Sequence, residues 1–96
     1  MAMWKNATLT SFYDGDECDV AHCEVNIDGG RIVVSYDDEA GPTVYQGDET
    51  GPGHYKLSAP SVSGQATLHQ VPDEDILEGH WVEDGYEGMW RIELKA

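Results

Sequence analysis

The segment DGDECDVAHCE, residues 14–24, holds the densest set of metal-binding and redox-active side chains in the sequence. Cys18, His22 and Cys23 are of the types that bind zinc. In a strand, neighbouring residues point to opposite faces, so His22 and Cys23 are not expected to share one tetrahedral ion. No second Cys or His cluster completes a four-ligand set. The sequence therefore predicts a buried, apolar Cys23 and a loop Cys18, without metal or other cofactor.

Two other chemistries stay open for this segment. A Cys18–Cys23 disulfide would close a very short loop and would require an oxidising compartment. The carboxylates offer the hard oxygen ligands of Ca²⁺, although Val25 stands where an EF-hand loop carries its bidentate glutamate. A weakly bound divalent ion is thus the alternative to a solvated acidic turn. The carboxylates concerned are Asp14, Asp16, Glu17 and Asp19.

Histidines are the remaining candidates for acid–base chemistry. Strand alternation predicts that all four face solvent, where a general base lacks a desolvated neighbourhood. No Ser, Cys or carboxylate stands at a spacing that would make a catalytic pair with one of them. We therefore expect a protein that is not an enzyme. The four residues are His22, His54, His69 and His80.

Composition and charge limit the classes of protein to which the sequence can belong. A chain of 96 residues with 40% hydrophobic content predicts one domain, residues 1–96, close to the lower size for a self-sufficient core. The 19 acidic residues against five Lys and Arg give a formal net charge of -14, which disfavours nucleic acid and anionic membranes as direct partners. Without a signal peptide or an apolar span, and with two Cys, the sequence predicts a cytoplasmic protein.

Alternation of apolar and polar residues with a period of two runs through the sequence and predicts an all-β domain. Asp84–Gly85 is typical of a type I′ hairpin turn, whose two central residues need positive φ. The resulting register places Trp81 opposite Gly88 and Gly79 opposite Trp90, so that each indole lies over a glycine. It also predicts two charge pairs, Glu78 with Arg91 and Glu74 with Lys95.

Other hairpins follow from the same reasoning. The turn at 28–30 is expected to bring one apolar strand face against the next, and a longer Gly- and Pro-rich loop follows in the next hairpin. Pro72 is expected at the second position of a type I turn. The predicted partners are Cys23, Val25 and Ile27 with Tyr36, Val34 and Ile32, then Tyr45 roughly with Tyr55, and Leu68 with Leu77.

Together these segments make eight short antiparallel strands, each joined to the next in an up-and-down meander. With an even number of strands, the first and last are antiparallel and can pair, which removes both open edges. We expect a small closed β-barrel, with a two-sheet β-sandwich as the alternative.

An early Trp4, eight meandering strands and a final strand with Arg91 resemble the calycins, the barrels of the lipocalin and avidin type. The resemblance implies a barrel that binds a small ligand inside. It also implies that Trp4 and Arg91 pack together at the closed end, as the corresponding residues of lipocalins do.

Inward parity assigns five aromatic residues to the barrel interior, where they would line a cavity for an apolar or aromatic ligand. The alternative is that they fill the core of so small a barrel. These candidate ligand-binding residues are Tyr36, Tyr45, Tyr55, Trp81 and Trp90.

Acidic residues are concentrated in the loops after the first, third and seventh strands, which emerge at the same end of a meander. Such a rim attracts cations and basic protein surfaces. Three functions stay open: a small-ligand binding module, an acidic interaction protein that binds a basic partner or mimics nucleic-acid phosphates, and a domain without a specific ligand. The candidate partner-binding residues are Asp14, Asp16, Glu17, Asp19, Asp37, Asp38, Glu39, Asp84 and Glu87, with Glu83 beside them.

Overall fold

The computed structural model describes residues 2–13, 18–38 and 41–95. Eight antiparallel strands form a closed barrel in sequence order, and the first strand pairs with the last. This confirms the predicted up-and-down barrel and excludes the two-sheet sandwich. The strands are β1 Ala2–Phe12, β2 Cys18–Asp28, β3 Arg31–Asp38, β4 Gly41–Gly51, β5 His54–Ala59, β6 Gly64–Gln70, β7 Ile76–Glu83 and β8 Tyr86–Glu93, with a 3-10 turn at Pro60–Val62.

The β7–β8 hairpin has the predicted register. Asp84 and Gly85 both adopt positive φ, 49° and 85°, as a type I′ turn requires. Trp81 lies opposite Gly88 and Gly79 opposite Trp90. On the outer face, Glu78 and Arg91 form an ion pair at 3.7 Å. The β2–β3 hairpin is also confirmed, with Cys23 opposite Tyr36, Val25 opposite Val34 and Ile27 opposite Ile32.

The predicted register of the β4–β5 hairpin is wrong, because the loop is shorter than its Gly and Pro content indicates. Strand β4 continues to Gly51, a bulge interrupts the ladder after Glu49, and the chain then turns at Pro52–Gly53. Tyr55 therefore lies opposite Glu49 and not opposite Tyr45.

The predicted register of the β6–β7 hairpin is wrong by two residues, because Val71 still pairs with β7 through its N–H to the Ile76 carbonyl. Leu68 consequently lies opposite Gly79, and Leu77 lies opposite Gln70.

The turn itself differs in type from the prediction. Pro72 takes the expected second position, but Asp73 has a φ of 63°, which belongs to a type II turn. Glu74 closes this turn by donating its N–H to the Val71 carbonyl. The β7–β8 pairing reaches one residue beyond Ile76 opposite Glu93, since the Leu94 N–H donates to the Asp75 carbonyl at 2.8 Å. In the described part of the chain the ion pairs are Arg31 with Asp48 and Arg91 with Glu78, so the expected charge pair of Glu74 with Lys95 is wrong.

Trp4 and Arg91 do not pack together as the resemblance to lipocalins implies. Trp4 lies opposite Val25 near the start of β1, whereas Arg91 lies opposite Thr10, further along that strand. At about 3.3 Å of rise per residue, Trp4 and Thr10 are roughly 20 Å apart along β1. The guanidinium of Arg91 instead faces Glu78 on the outside of the barrel.

Inward positions of the strands carry one continuous cluster of buried apolar side chains. On the outer face of the barrel, the alternation of apolar and polar residues leaves all four histidines exposed, as predicted. The largest fully buried side chains are Tyr45, Leu9, Ile32, Leu57, Leu68, Leu77 and Ile92.

Close approaches of the backbone occur at two glycines of the last hairpin. A Cβ on Gly79 would overlap the Thr67 carbonyl of β6, and a Cβ on Gly88 would overlap the Phe12 carbonyl of β1. The indole of Trp81 also lies over Gly88, as predicted. At Gly79 the close neighbour is the β6 backbone and not the indole of Trp90, which corrects the expectation from sequence. Glycines at such positions allow strands to curve into a narrow barrel.

Strand ends extend beyond the positions expected from sequence. Strand β2 begins at Cys18, so Cys18 and Asp19 are strand residues and not loop residues. Asp37 lies within β3, and Asp48 lies within β4. In the three described ranges, no helix is long and apolar enough to cross a bilayer.

Candidate functional site

An open cleft of about 500 Å³ lies at the end of the barrel where β1, β3 and β7 finish. We call it the mouth cleft. It combines aromatic rings, carboxylates and small side chains drawn from four segments of the chain. The lining residues are Leu9, Ser11, Tyr13, Asp19, Val20, Ala21, Tyr36, Asp37, Trp81, Glu83, Tyr86 and Trp90.

Two tryptophans form the buried part of the mouth cleft. Trp81 and Trp90 are only 5% and 3% exposed, so their rings belong to both the core and the cleft. The edge-to-face contacts of Trp90 reach Tyr45, at 4.8 Å between ring centroids, and Tyr36, at 6.2 Å. The indole N–H of Trp81 donates to the Met89 carbonyl at 3.3 Å, which fixes the orientation of that ring. The aromatic surface is therefore held in place before any ligand arrives.

Tyrosines extend this aromatic surface toward solvent. Tyr13, directly after β1, packs edge-to-face on Trp81 at 5.4 Å and donates its hydroxyl to Asp19 at 3.0 Å. Tyr86, the first residue of β8, is 73% exposed at the edge of the cleft. An apolar body entering the cleft would thus meet aromatic rings from several sides.

Three carboxylates, those of Asp19, Asp37 and Glu83, line the same cleft. Glu83 is anchored from below, because the buried hydroxyl of Tyr45 donates to its Oε2 at 2.8 Å. Burial raises the pKa of Tyr45 above its ordinary value, and the hydrogen bond to Glu83 and the charge of that carboxylate raise it further. Tyr45 therefore remains a neutral donor at physiological pH and keeps Glu83 at the cleft.

Positive side chains are placed away from the mouth cleft. None of the five Lys and Arg residues lines it. Arg31 pairs with Asp48 at 3.3 Å, beside the turn between β2 and β3, and Arg91 faces Glu78 on the outer surface. The remaining three are Lys5, early in β1, Lys56, early in β5, and Lys95, after β8. The negative charge of the cleft is consequently not compensated by a neighbouring cation.

The five predicted ligand-binding aromatics divide into two groups. Tyr36, Trp81 and Trp90 line the mouth cleft. Tyr45 and Tyr55 are buried at 0% and 6% exposure and fill the core instead. Burial, with the nearby Glu49 charge, raises the pKa of Tyr55 as well.

The predicted acidic rim also divides into residues that line the cleft and residues that do not. Asp19 and Asp37 line the cleft, whereas Asp84 and Glu87 are exposed at the same end without lining it. Four of the remaining residues and one side chain lie outside the described part of the chain: Asp14, Asp16, Glu17 and Glu39, and the side chain of Asp38.

Tyr13 and Tyr86 were not predicted from the sequence. Strand alternation was used to find residues that point into the barrel, and it does not identify residues at strand ends. Their position in the sequence was an available signal, since Tyr13 precedes the acidic segment 14–17 and Tyr86 follows the turn at Asp84–Gly85. Aromatic residues next to convergent carboxylates are the feature that would have identified the cleft.

Cys18 and Cys23 are both free thiols, the first exposed and the second buried. They lie five positions apart along one strand, about 16 Å at 3.3 Å per residue, so they share neither a disulfide nor a metal ion. In the described ranges, no group of three or more His, Cys, Asp or Glu residues is placed to hold a metal ion. The predicted divalent site at residues 14–19 lies largely outside those ranges.

The two thiols should differ strongly in reactivity. Burial, with a smaller effect of the Glu24 charge, raises the pKa of the Cys23 thiol to about 12, so its reactive thiolate is scarce at neutral pH. We expect a maleimide or disulfide reagent to modify Cys18 in the folded protein and Cys23 only after unfolding. Mass spectrometry of the peptides, with and without urea, measures both rates. Equal native rates would contradict the inward position of Cys23.

Comparison of the chain with protein-family models, with curated proteins and with solved structures gives no match. The class of protein is therefore defined by the architecture itself, a small closed barrel of eight antiparallel strands with a cleft at one end.

Proposed function

We propose that the protein is a binding module that takes a small organic cation into the mouth cleft. The observation that carries this proposal is the coincidence of Trp81 and Trp90 with three carboxylates in one opening that has no basic side chain in its lining. An apolar ligand would explain the aromatic rings alone, and a metal ion would explain the carboxylates alone. A charged ammonium group on an apolar body uses both.

Physical chemistry favours such a ligand. A cation over an aromatic face gains about 0.5–2 kcal/mol, and Tyr13 and Tyr86, at 37% and 73% exposure, are the rings at the cleft most open to a cation. Carboxylates around the opening add attraction that increases as water leaves the site. The formal charge of -14 further raises the local concentration of cations and their rate of encounter.

Size and position agree with a small-molecule ligand. The volume of about 500 Å³ lies within the range of roughly 300–1,000 Å³ that is usual for ligand pockets. The deeper barrel is occupied by Tyr45, Leu68 and their neighbours in the core cluster, which supports a ligand at the mouth over one inside the barrel. Kinship with the calycins stays a prediction from the sequence.

The test compares choline with 3,3-dimethyl-1-butanol, its neutral isostere. We expect choline to bind with an affinity at least about fivefold higher, since only the cation gains from the rings and carboxylates. Titration followed by the indole N–H resonances of Trp81 and Trp90 measures both affinities and locates the site. Equal affinities for the two probes would rule out recognition of a cation.

A matched pair of variants separates the cleft from the general charge of the protein. Asp19→Asn with Asp37→Asn should weaken choline binding and leave the neutral probe unchanged. Asp73→Asn with Asp75→Asn removes the same charge from the turn after β6, at the opposite end, and should retain nearly full affinity. If both double variants lose affinity equally, long-range charge and not the cleft accounts for binding.

A basic protein surface is the second candidate ligand, because exposed Asp84 and Glu87 continue the negative charge beyond the cleft. A Lys or Arg side chain from a partner would then occupy the same opening. Under this proposal, changing Asp14, Asp16, Asp37 and Asp38 to Asn slows association with the partner and flattens its salt dependence.

A further inference from the structure

His54 and His69 face each other across β5 and β6, on the outside of the barrel and at the end opposite the mouth cleft. Both side chains are exposed, and their rings stand 4.7 Å apart between centroids at 73°. The two Nδ1 atoms are in hydrogen-bond contact. Two imidazole nitrogens of the same kind therefore converge on one point at the surface.

We propose that this histidine pair binds a divalent transition-metal ion through both Nδ1 atoms, with water completing the coordination. Neutral imidazole is a preferred ligand of Zn²⁺, Ni²⁺ and Cu²⁺. In the metal-free pair, one Nδ1 must carry a proton in order to donate to the other. When a metal binds, that proton moves by way of water to Nε2 of the same ring, so that each neutral imidazole directs an Nδ1 lone pair at the ion.

The barrel supplies the preorganisation that a two-ligand site needs. His54 and His69 are direct partners in a ladder that continues through Tyr55 opposite Leu68 and Lys56 opposite Thr67. The backbone positions of the two ligands are thus fixed before binding, and only side-chain rotations remain to be ordered. The hydroxyl of Thr50 also donates to the His54 carbonyl at 3.4 Å.

Neighbouring groups define the limits of the site. Glu78 of β7 lies opposite His69, but its carboxylate is already near Arg91 at 3.7 Å. Lys56 is two residues from His54 on the outer face and lies opposite Asp48. The described residues place no third ligand-type side chain with the pair to hold a metal ion. Affinity should accordingly follow the intrinsic order of the metals, with Cu²⁺ ahead of Ni²⁺ and Zn²⁺.

Isothermal titration of the tag-free protein with Zn²⁺ and Cu²⁺ at about pH 7.5 tests the proposal. We expect His54→Asn and His69→Asn each to weaken binding by about 10²-fold, since either change removes the chelate, and the double variant to lose little more. His22→Asn removes an exposed histidine of β2 and should retain full affinity.

Zn²⁺ should also raise the urea midpoint of the wild type and of His22→Asn, but not that of the His54 or His69 variants. Circular dichroism compares the fold of every variant with that of the wild type. His22, His54 and His69 are all exposed, so the fold should be retained. Wild-type affinity in either His54→Asn or His69→Asn would overturn the proposal, as would an equal loss in His22→Asn. Neither result depends on the mouth cleft.

Discussion

Replacing Gly79 with alanine should destabilise the barrel by about 3 kcal/mol or more, at the upper end of overpacking effects. The added Cβ would overlap the Thr67 carbonyl and approach the Leu68 Cα of β6. Both neighbours are backbone atoms, so no side-chain rotation relieves the contact, and β6 and β7 must separate. Urea unfolding followed by far-UV circular dichroism measures the change in free energy.

Gly51→Ala is the matched control for Gly79→Ala. Gly51 also lies in a strand, does not have positive φ, and an added Cβ would meet only the His54 side chain at 3.8 Å. We expect a change within about 0.5 kcal/mol, or a small gain from the reduced entropy of the unfolded chain. Equal unfolding midpoints for the two variants would show that Gly79 is not a point of close approach.

Trp90→Ala is the second substitution with a large expected effect, a loss of about 3–5 kcal/mol. The Trp90 ring is buried at 3% exposure and contacts Tyr36 and Tyr45 edge-to-face. Truncation would remove this apolar area and leave a cavity beneath the mouth cleft, which the neighbouring rings fill only in part. Denaturant melts by circular dichroism are the appropriate measurement, because the substitution alters the tryptophan fluorescence.

Two comparisons test the reason for the Trp90 effect. Trp90→Phe keeps an aromatic ring and should cost clearly less than Trp90→Ala. Met89→Ala removes the adjacent outward side chain, which is 50% exposed, and should change stability by no more than about 0.5 kcal/mol. If Trp90→Ala is as mild as Met89→Ala, the indole is not part of the core as the structure places it.

The effects of a substitution on stability and on choline binding can be measured separately, because the cleft carboxylates are not part of the buried core. Trp90 contributes to both, so loss of choline binding in a Trp90 variant does not distinguish a missing contact from a loosened barrel. Asp37 is exposed on β3 and lines the cleft. Its amide variant therefore reports on binding with little effect on folding.

Local patterns in the sequence determined the class of fold and two of its hairpins. Period-two alternation specifies strands, and Asp84–Gly85 requires the positive φ of a type I′ turn, which fixes the register from Trp81 to Gly88. The outward position of all four histidines and the burial of Cys23 follow from the same alternation. These features depend on residues close together in the chain, so sequence reasoning reaches them.

The registers that depend on bulges and turn type follow from tertiary pairing of the strands and not from local sequence patterns. The bulge after Glu49 and the positive φ of Asp73 shift β4–β5 and β6–β7 away from their predicted partners. Neither feature changes the alternation that the sequence displays, because the backbone absorbs the extra residue of a bulge locally and the turn at Asp73 lies outside the strands.

Tertiary closure also created both candidate sites. Tyr13, Asp19, Trp81 and Glu83 meet at the mouth cleft because β1 pairs with both β2 and β8, which brings the ends of distant strands together. His54 and His69 meet through the register of β5 and β6. Strand alternation assigns each side chain to a face of the sheet. The hydrogen-bond register of the closed barrel sets the position of that side chain along the barrel axis. Two side chains meet only when they share both the face and the position.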